Sequence, residues 1–339
     1  MVIKSLIMKN LLVVSALTIF FMACNSTDSN EVPVQNGQAP TVTEQATYEV
    51  LVMKDIVYAE GLSHENINST ASSVKQLKLD AYVPDNTLLN RPAVLLIHGG
   101  GFKGGSKDVS QMTHLANYFA ERGWVAFSIN YRLQADLGTI PEEWKTYIEN
   151  NSAFIADVEQ AYALYPASRD AKAALRWVFA NAQTYNINPD YVSVGGGSAG
   201  AVSAIMLGVT EAEDYYSEID ATTDPTLATT NENEITKVRA ILDFWGSGST
   251  ARLINDLYGK QRFGTNDAPI IIMHGTEDTT VLFSEAETLR DQYINSGVPY
   301  EFYPLEGKGH GPWSATVNGK SLEGLCFDFM VKQMSLIKQ

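Results

Sequence analysis

Tyr191 to Ala201 reads YVSVGGGSAGA, a short apolar run that ends in three glycines, a serine and a fourth glycine. Glycine loses more conformational freedom on folding than any other residue, so such a cluster around one hydroxyl needs a steric reason. Gly196, Gly197, Ser198, Ala199 and Gly200 fit G-x-S-x-G, in which a serine rides a strained turn between strand and helix. A glycine-rich turn with no chemistry would read the same over five residues, so the rest of the chain must decide. A serine hydroxyl is a weak nucleophile until a positioned base takes its proton and a third group fixes the base's tautomer. Among the five histidines, His64 lies in a polar loop and His114 opens a helix. His98 and His274 end apolar runs beside glycines, where packing and backbone bonding are the ordinary roles. His310 stands in EGKGHGPW, a glycine-rich loop between the last core strand and the last helix, and is the candidate base. PIIIMHGTEDTTV lies between serine and histidine and ends a strand, offering Glu277 and Asp278 as the orienting acid.

Such a constellation would perform acyl transfer, which also needs donors aimed at the developing oxyanion. HGGGF, at His98 to Phe102, can supply them: Gly100 and Gly101 lack Cβ atoms and can turn their N–H groups toward a substrate, and Ala199 adds the N–H after the serine. A glycine loop at a strand end also suits a phosphate, but no G-K-[ST] or dinucleotide spacing follows here.

These residues require an alternating array of strands and helices. YEVLVM and QLKLDAYV alternate as leading strands. AVLLIHGGGF is an unbroken apolar run, as in strands buried on both faces of a parallel sheet. Helix THLANYFAERG, strand WVAFSINYR, helix SRDAKAALRWVFANAQTY and strand YVSV follow, with AGAVSAIMLGV as the helix after the serine. Later come strands VRAILDFWG and APIIIMHG, helix SEAETLRDQYINSG, strand PYEFYPL and helix SLEGLCFDFMVKQMSL. This alternation predicts a doubly wound, mostly parallel sheet with helices on both faces. Leu133 to Ala167 and Glu211 to Thr236 fit neither period and are expected as excursions, where function tends to collect. Trp144, Tyr147 and Phe154 in the first, and Trp313 in the histidine loop, are the candidate apolar substrate contacts.

HGGGF, RDAKAALRWVFANA, NPDYVSVGGGSAGA, HGTEDTTV and GKGHG, in this order between about Gln76 and Leu336, resemble the α/β-hydrolase esterases and lipases, in particular the hormone-sensitive-lipase-like group and its bacterial carboxylesterase relatives. The resemblance implies an α/β-hydrolase fold and hydrolysis of carboxylic esters by Ser198, His310 and an acid that HG-x-x-D-x-x-V places at Asp278. Gly100, Gly101 and Ala199 would form the oxyanion hole, and no metal or organic cofactor is implied. Gly197 stands where many members carry an acid, Ala201 where many have glycine, Phe102 where many have tryptophan, and Leu282 where proline is common. Residues 47 to 83 read as strands, so the N-terminal helical cap of many relatives is not expected. A peptidase or amidase with the same triad, and a catalytically silent surface binding module, are the alternatives.

MVIKSLIMKNLLVVSALTIFFMAC carries Lys4 and Lys9 before an apolar run, in the manner of a secretory signal rather than a membrane span. FMAC resembles a bacterial lipobox, which implies cleavage before Cys24 and lipid on its sulfur, and so an exported protein anchored to the cell envelope, at the outer membrane or cell surface. The expected organisation is a signal over residues 1–23, a flexible tether over 24–46 and one catalytic domain over 47–339. The formal charge of −15 opposes binding to nucleic acid or anionic lipid headgroups. Cys24 and Cys326 are the only cysteines, so with Cys24 lipidated Cys326 has no partner and stability must come from the core.

Overall fold

The computed structural model describes residues 38–153 and 155–339. Eight strands form the central sheet: β1 (Val50–His64), β2 (Ser72–Pro84), β3 (Arg91–Ile97), β4 (Val125–Ile129), β5 (Ile187–Gly197), β6 (Ile241–Phe244), β7 (Ile270–Gly275) and β8 (Tyr300–Leu305). Their spatial order is β1-β2-β4-β3-β5-β6-β7-β8, antiparallel across β1, β2 and β4 and parallel from β4 to β8. Every residue of β3, β4, β6 and β7 is buried, as the unbroken apolar runs require of strands covered on both faces. The seven α-helices among the described residues are α1 (Ser110–Ala120), α2 (Glu142–Asn151), α3 (Val158–Ala180), α4 (Ala199–Val209), α5 (Ser249–Tyr258), α6 (Phe283–Ser296) and α7 (Leu322–Gln333). One core, built on α3 to α6, covers one face of the sheet, and a second, built on α1 and α7, covers the other.

The parallel register decides where chemistry can occur. Ile97 of β3 pairs with Gly196 of β5, Gly197 with Phe244 of β6, and Phe244 with Met273 of β7. The loops that leave β3, β5, β6, β7 and β8 therefore emerge along one edge. HGGGF, Ser198, Asp278 and His310 all lie in those loops.

The structure departs from the sequence expectations at three places. The first excursion is largely helical: it holds a 3₁₀ turn at Gln134–Asp136, then α2, then the first half of α3. Pro166 lies inside α3, which runs through it. Proline in a helix interior costs roughly 3 kcal/mol, which the burial of Ala163, Leu164, Tyr165 and Ala167 offsets. Helix α5 has no counterpart in the expectations. Finally, the tether does not run to residue 46. Thr41–Val42 form a parallel strand pair with Ile337–Lys338, and Val42 is fully buried. The leading strands do form a β1–β2 hairpin, and no helix precedes them among the described residues.

Candidate active site

Ser198 is the hinge between β5 and α4, with φ 55° and ψ −122°. This conformation is sparsely populated for a residue with a Cβ and costs of order 1–3 kcal/mol. Two features hold it. The Ser198 N–H donates to the Phe244 carbonyl at 2.9 Å, and Gly200 packs so close to β3 that an added Cβ would lie 2.0 Å from the Ile97 carbonyl oxygen. No larger residue could occupy position 200 without separating α4 from the sheet.

The Ser198 hydroxyl lies 3.0 Å from Nε2 of His310, and Nδ1 of His310 lies 2.7 Å from Oδ2 of Asp278. The Asp278 side chain is fully buried while that of His310 is about one-quarter exposed. Oδ1 of Asp278 accepts the N–H groups of Thr280 at 2.8 Å and Val281 at 3.0 Å. That pairing leaves Oδ2 to the imidazole and fixes its Nδ1–H tautomer. His274 stands behind the carboxylate, donating Nε2–H to the Val281 carbonyl at 2.8 Å. Burial lowers the His274 pKa, so it lies there as a neutral ring. Glu277 is exposed, and its N–H donates to the Lys308 carbonyl at 2.9 Å.

The HGGGF loop takes an unusual path: φ is 111° at Gly100, 62° at Gly101 and 59° at Phe102. Each of its glycine carbonyls, and that of Phe102, accepts a hydrogen bond. Nδ1–H of His98 donates to the Gly99 carbonyl at 2.7 Å, and burial lowers the His98 pKa to about 4, which keeps that ring neutral. The Gly100 carbonyl accepts the N–H groups of Lys103 at 3.0 Å and Gly104 at 3.2 Å. Gln160 donates to the Gly101 carbonyl at 2.8 Å, and the Gln134 N–H to the Phe102 carbonyl at 2.7 Å. A trans peptide points its N–H opposite to its C=O. Pinning the carbonyls of Gly99 and Gly100 therefore directs the N–H groups of Gly100 and Gly101 the other way. Those two N–H groups and that of Ala199 donate to no acceptor among the described residues. All three residues line a cavity of about 780 Å³ that also contains Ser198 and His310.

Apolar walls surround this cavity: Leu164, Val202 and Leu253 on one face of the sheet, Met112, Trp245 and Trp313 on the other. Trp313 therefore lines the cavity, and Trp144 and Tyr147 do not. Trp144 is 1% exposed and packs edge-on against Tyr165, donating its indole N–H to the Tyr258 hydroxyl. The reason is helical phase: Trp144 and Ile148, four apart, form the inward stripe of α2. Tyr147 lies half-buried outside that stripe, and burial together with Asp256 raises its phenol pKa. Phe154 falls outside the described residues. The excursion does reach the cavity, but through Ile155 to Leu164 rather than through α2.

Gln160 and Trp245 are site residues without a sequence signal. Asp157 caps α3 through the Gln160 N–H at 2.9 Å, and this aims the Gln160 side chain at the glycine loop. Trp245 sits in a turn after β6 with φ 50°, its N–H donated to the Met273 carbonyl. The turn is held by Asp243, whose Oδ1 accepts the Gly246 N–H at 2.7 Å and whose pKa burial raises to about 7. The caps by Asp157 and Asp243 are local, but Gln160 meets Gly101 and Trp245 meets Met273 across long stretches of chain. Only the fold could show them.

The fold has counterparts among known proteins. Esterase 2 of Thermogutta terrifontis, solved with propionate bound, is 22% identical with a TM-score of 0.55, over 84% of this chain and 94% of that one. The same protein phosphorylated by paraoxon superposes with a TM-score of 0.56 at 22% identity, over 83% of this chain and 94% of that one. At this identity the likeness establishes the α/β-hydrolase fold. Esterase LipC of Mycobacterium tuberculosis is 24% identical over 238 residues, 65% of this chain and 53% of LipC. The para-nitrobenzyl esterase of Bacillus subtilis is 27% identical over 173 residues, 50% of this chain and 32% of that protein. The chain thus spans about half, or less, of the length of these curated relatives. The BD-FAE family model matches residues 79–162 and 158–262, more than half of the chain. With the sheet order, the serine turn and these matches in agreement, the chain belongs to the BD-FAE family of α/β-hydrolase esterases.

Proposed function

We propose that this protein hydrolyses carboxylic esters through an acyl-enzyme on Ser198. The observation that carries the reading is the unbroken relay from Ser198 Oγ through His310 to Asp278, beside three N–H groups without acceptors among the described residues. His310 Nε2 takes the serine proton as Oγ attacks the ester carbon. Asp278, buried and already bonded at Nδ1, stabilises the imidazolium that forms. The carbonyl oxygen gains charge facing the N–H groups of Gly100, Gly101 and Ala199. His310 then returns the proton to the alkoxide, and the alcohol departs. Water repeats the sequence on the acyl-enzyme and releases the acid. The pinned carbonyls keep the donors pre-oriented, so little reorganisation accompanies the charge development.

The apolar walls of the cavity support a substrate with a hydrocarbon acyl portion. A short chain is the expected class, in keeping with the propionate and butyrate found bound to the Thermogutta protein. We place this activity outside the cell, on a protein held to the envelope through Cys24.

Turnover of p-nitrophenyl acetate, butyrate and octanoate, together with labelling by a fluorophosphonate, tests the reading. The wild type should turn over and be labelled on Ser198. Ser198→Ala should lose the label and fall in kcat by roughly 10³ to 10⁶, as when triad members act as a unit. Label retained in Ser198→Ala would overturn it.

A further inference from the structure

Gly197 is not explained by its own backbone. Its φ is not in the left-handed region, unlike that of Gly100 or Gly101. No main chain blocks it either, whereas a Cβ at Gly196 would lie 2.5 Å from the Ile97 carbonyl oxygen. What a Cβ at position 197 would meet is an indole: Cζ2 of Trp313 at 2.6 Å and Cη2 at 3.1 Å. Trp313 has slid into the space that any side chain at 197 would need.

The rest of the indole is held by aromatic contacts. Trp313 packs at 4.6 Å against Trp245, edge to face, and at 4.9 Å against Phe244. Trp245 in turn lies 6.4 Å from the His310 ring. The histidine loop needs such an anchor. On the side before His310, backbone bonds staple it: Lys308 N–H to the Leu305 carbonyl, and Glu277 N–H to the Lys308 carbonyl. On the side after it, Gly311 has φ 77° and the Trp313 N–H bonds only back to the Gly311 carbonyl, within the loop. The Trp313 side chain ties this half of the loop to the sheet through Phe244, and it lands on the residue that precedes Ser198.

We infer that Gly197 and Trp313 form an interlock that sets the distance between the nucleophile and its base: Trp313 is a positioning residue for His310, and Gly197 is glycine because it is the socket. This inference rests on the reading of Ser198 and His310 given above. It accounts for glycine at position 197 through a single partner residue.

A double-mutant cycle tests it on the full chain. Trp313→Ala should lower kcat and the rate of fluorophosphonate labelling by about 10²-fold, the scale on which a displacement of about 1 Å from productive geometry acts. Its KM should change little, and Trp313→Phe should recover part of the loss. Gly197→Ala should push the indole out and lower kcat by about tenfold or more, while in a Trp313→Ala background the same change should cost less than about threefold, since contacting residues couple. Thermal melts in parallel show whether each variant is folded at the assay temperature. Additive effects in the cycle, or a Trp313→Ala variant that raises KM with kcat unchanged, would overturn the interlock and leave Trp313 as a substrate contact. A wild type that neither turns over esters nor takes the label would instead sink the reading of Ser198, which the cycle does not address.

Discussion

Asp278 and Glu277 are adjacent carboxylates with opposite circumstances. Asp278 spends one oxygen on two backbone N–H groups and the other on His310, whereas Glu277 faces solvent. Asp278→Asn should leave the imidazole without an acceptor for Nδ1–H and lower kcat by about 10⁴, while Glu277→Gln should leave it near wild type. Steady-state kinetics of the two variants on one ester decides this, and the reverse ranking would reassign the acid. How much of the site could be read in advance follows from the same comparison. Ser198, Asp278 and His310 each stand in a short glycine-bearing signature whose spacing reflects local backbone geometry, so their type and order were legible. Gln160, Trp245 and the Gly197–Trp313 contact are pairings between residues distant in the chain, with nothing local to announce them. Trp144 misled because aromatic character was visible and helical phase was not: without an assigned helix over Glu142–Asn151, its inward stripe could not be drawn.

At the scale of elements, α3 does two jobs. Its first turn holds the glycine loop through Gln160, and its middle holds the second excursion through a basic row on one face. Arg169 pairs with Asp224 at 3.4 Å, Lys172 donates to the Glu211 carbonyl, and Arg176 donates to the Ala212 carbonyl. Positions 169, 172 and 176 follow helical spacing, yet nothing local in the sequence pairs them with the excursion Glu211 to Thr236. The three basic side chains are buried, together with Asp214, Asp224 and a few other residues of that largely exposed excursion. Burial, opposed in part by Asp214, lowers the Lys172 pKa to about 7 from its ordinary 10.5. Between those two values the unfolded chain binds more protons than the folded one, so this residue's contribution to stability rises with pH across that window and is lost as pH falls through about 7. Urea unfolding followed across the window should show the rise in wild type and a flatter curve in Lys172→Met. Parallel curves would show that Lys172 keeps its ordinary pKa in the folded protein. The strands, by contrast, were legible almost throughout, because a strand buried on both faces leaves an apolar run that no neighbour is needed to interpret.

At the scale of the molecule, the proposed lipid on Cys24 gives its own test. Lipidated wild type should partition into the detergent phase on phase separation, since each buried CH₂ contributes about 0.8 kcal/mol, and Cys24→Ser should stay in the aqueous phase. Both in the aqueous phase would remove the anchor from the reading. The clasp between the two ends of the described chain then acquires a mechanical sense. Ile337 N–H bonds to the Pro40 carbonyl, Gln339 N–H to that of Val42, and Glu44 N–H to that of Gln339, each at 2.9 Å. A pull arriving through the residues ahead of Gln38 divides at this clasp, part passing along the covalent chain toward β1 and part across the hydrogen bonds toward α7. Load enters at an outer strand and at a helix on one face of the sheet, so the loops that carry Ser198 and His310 lie on neither direct line of force.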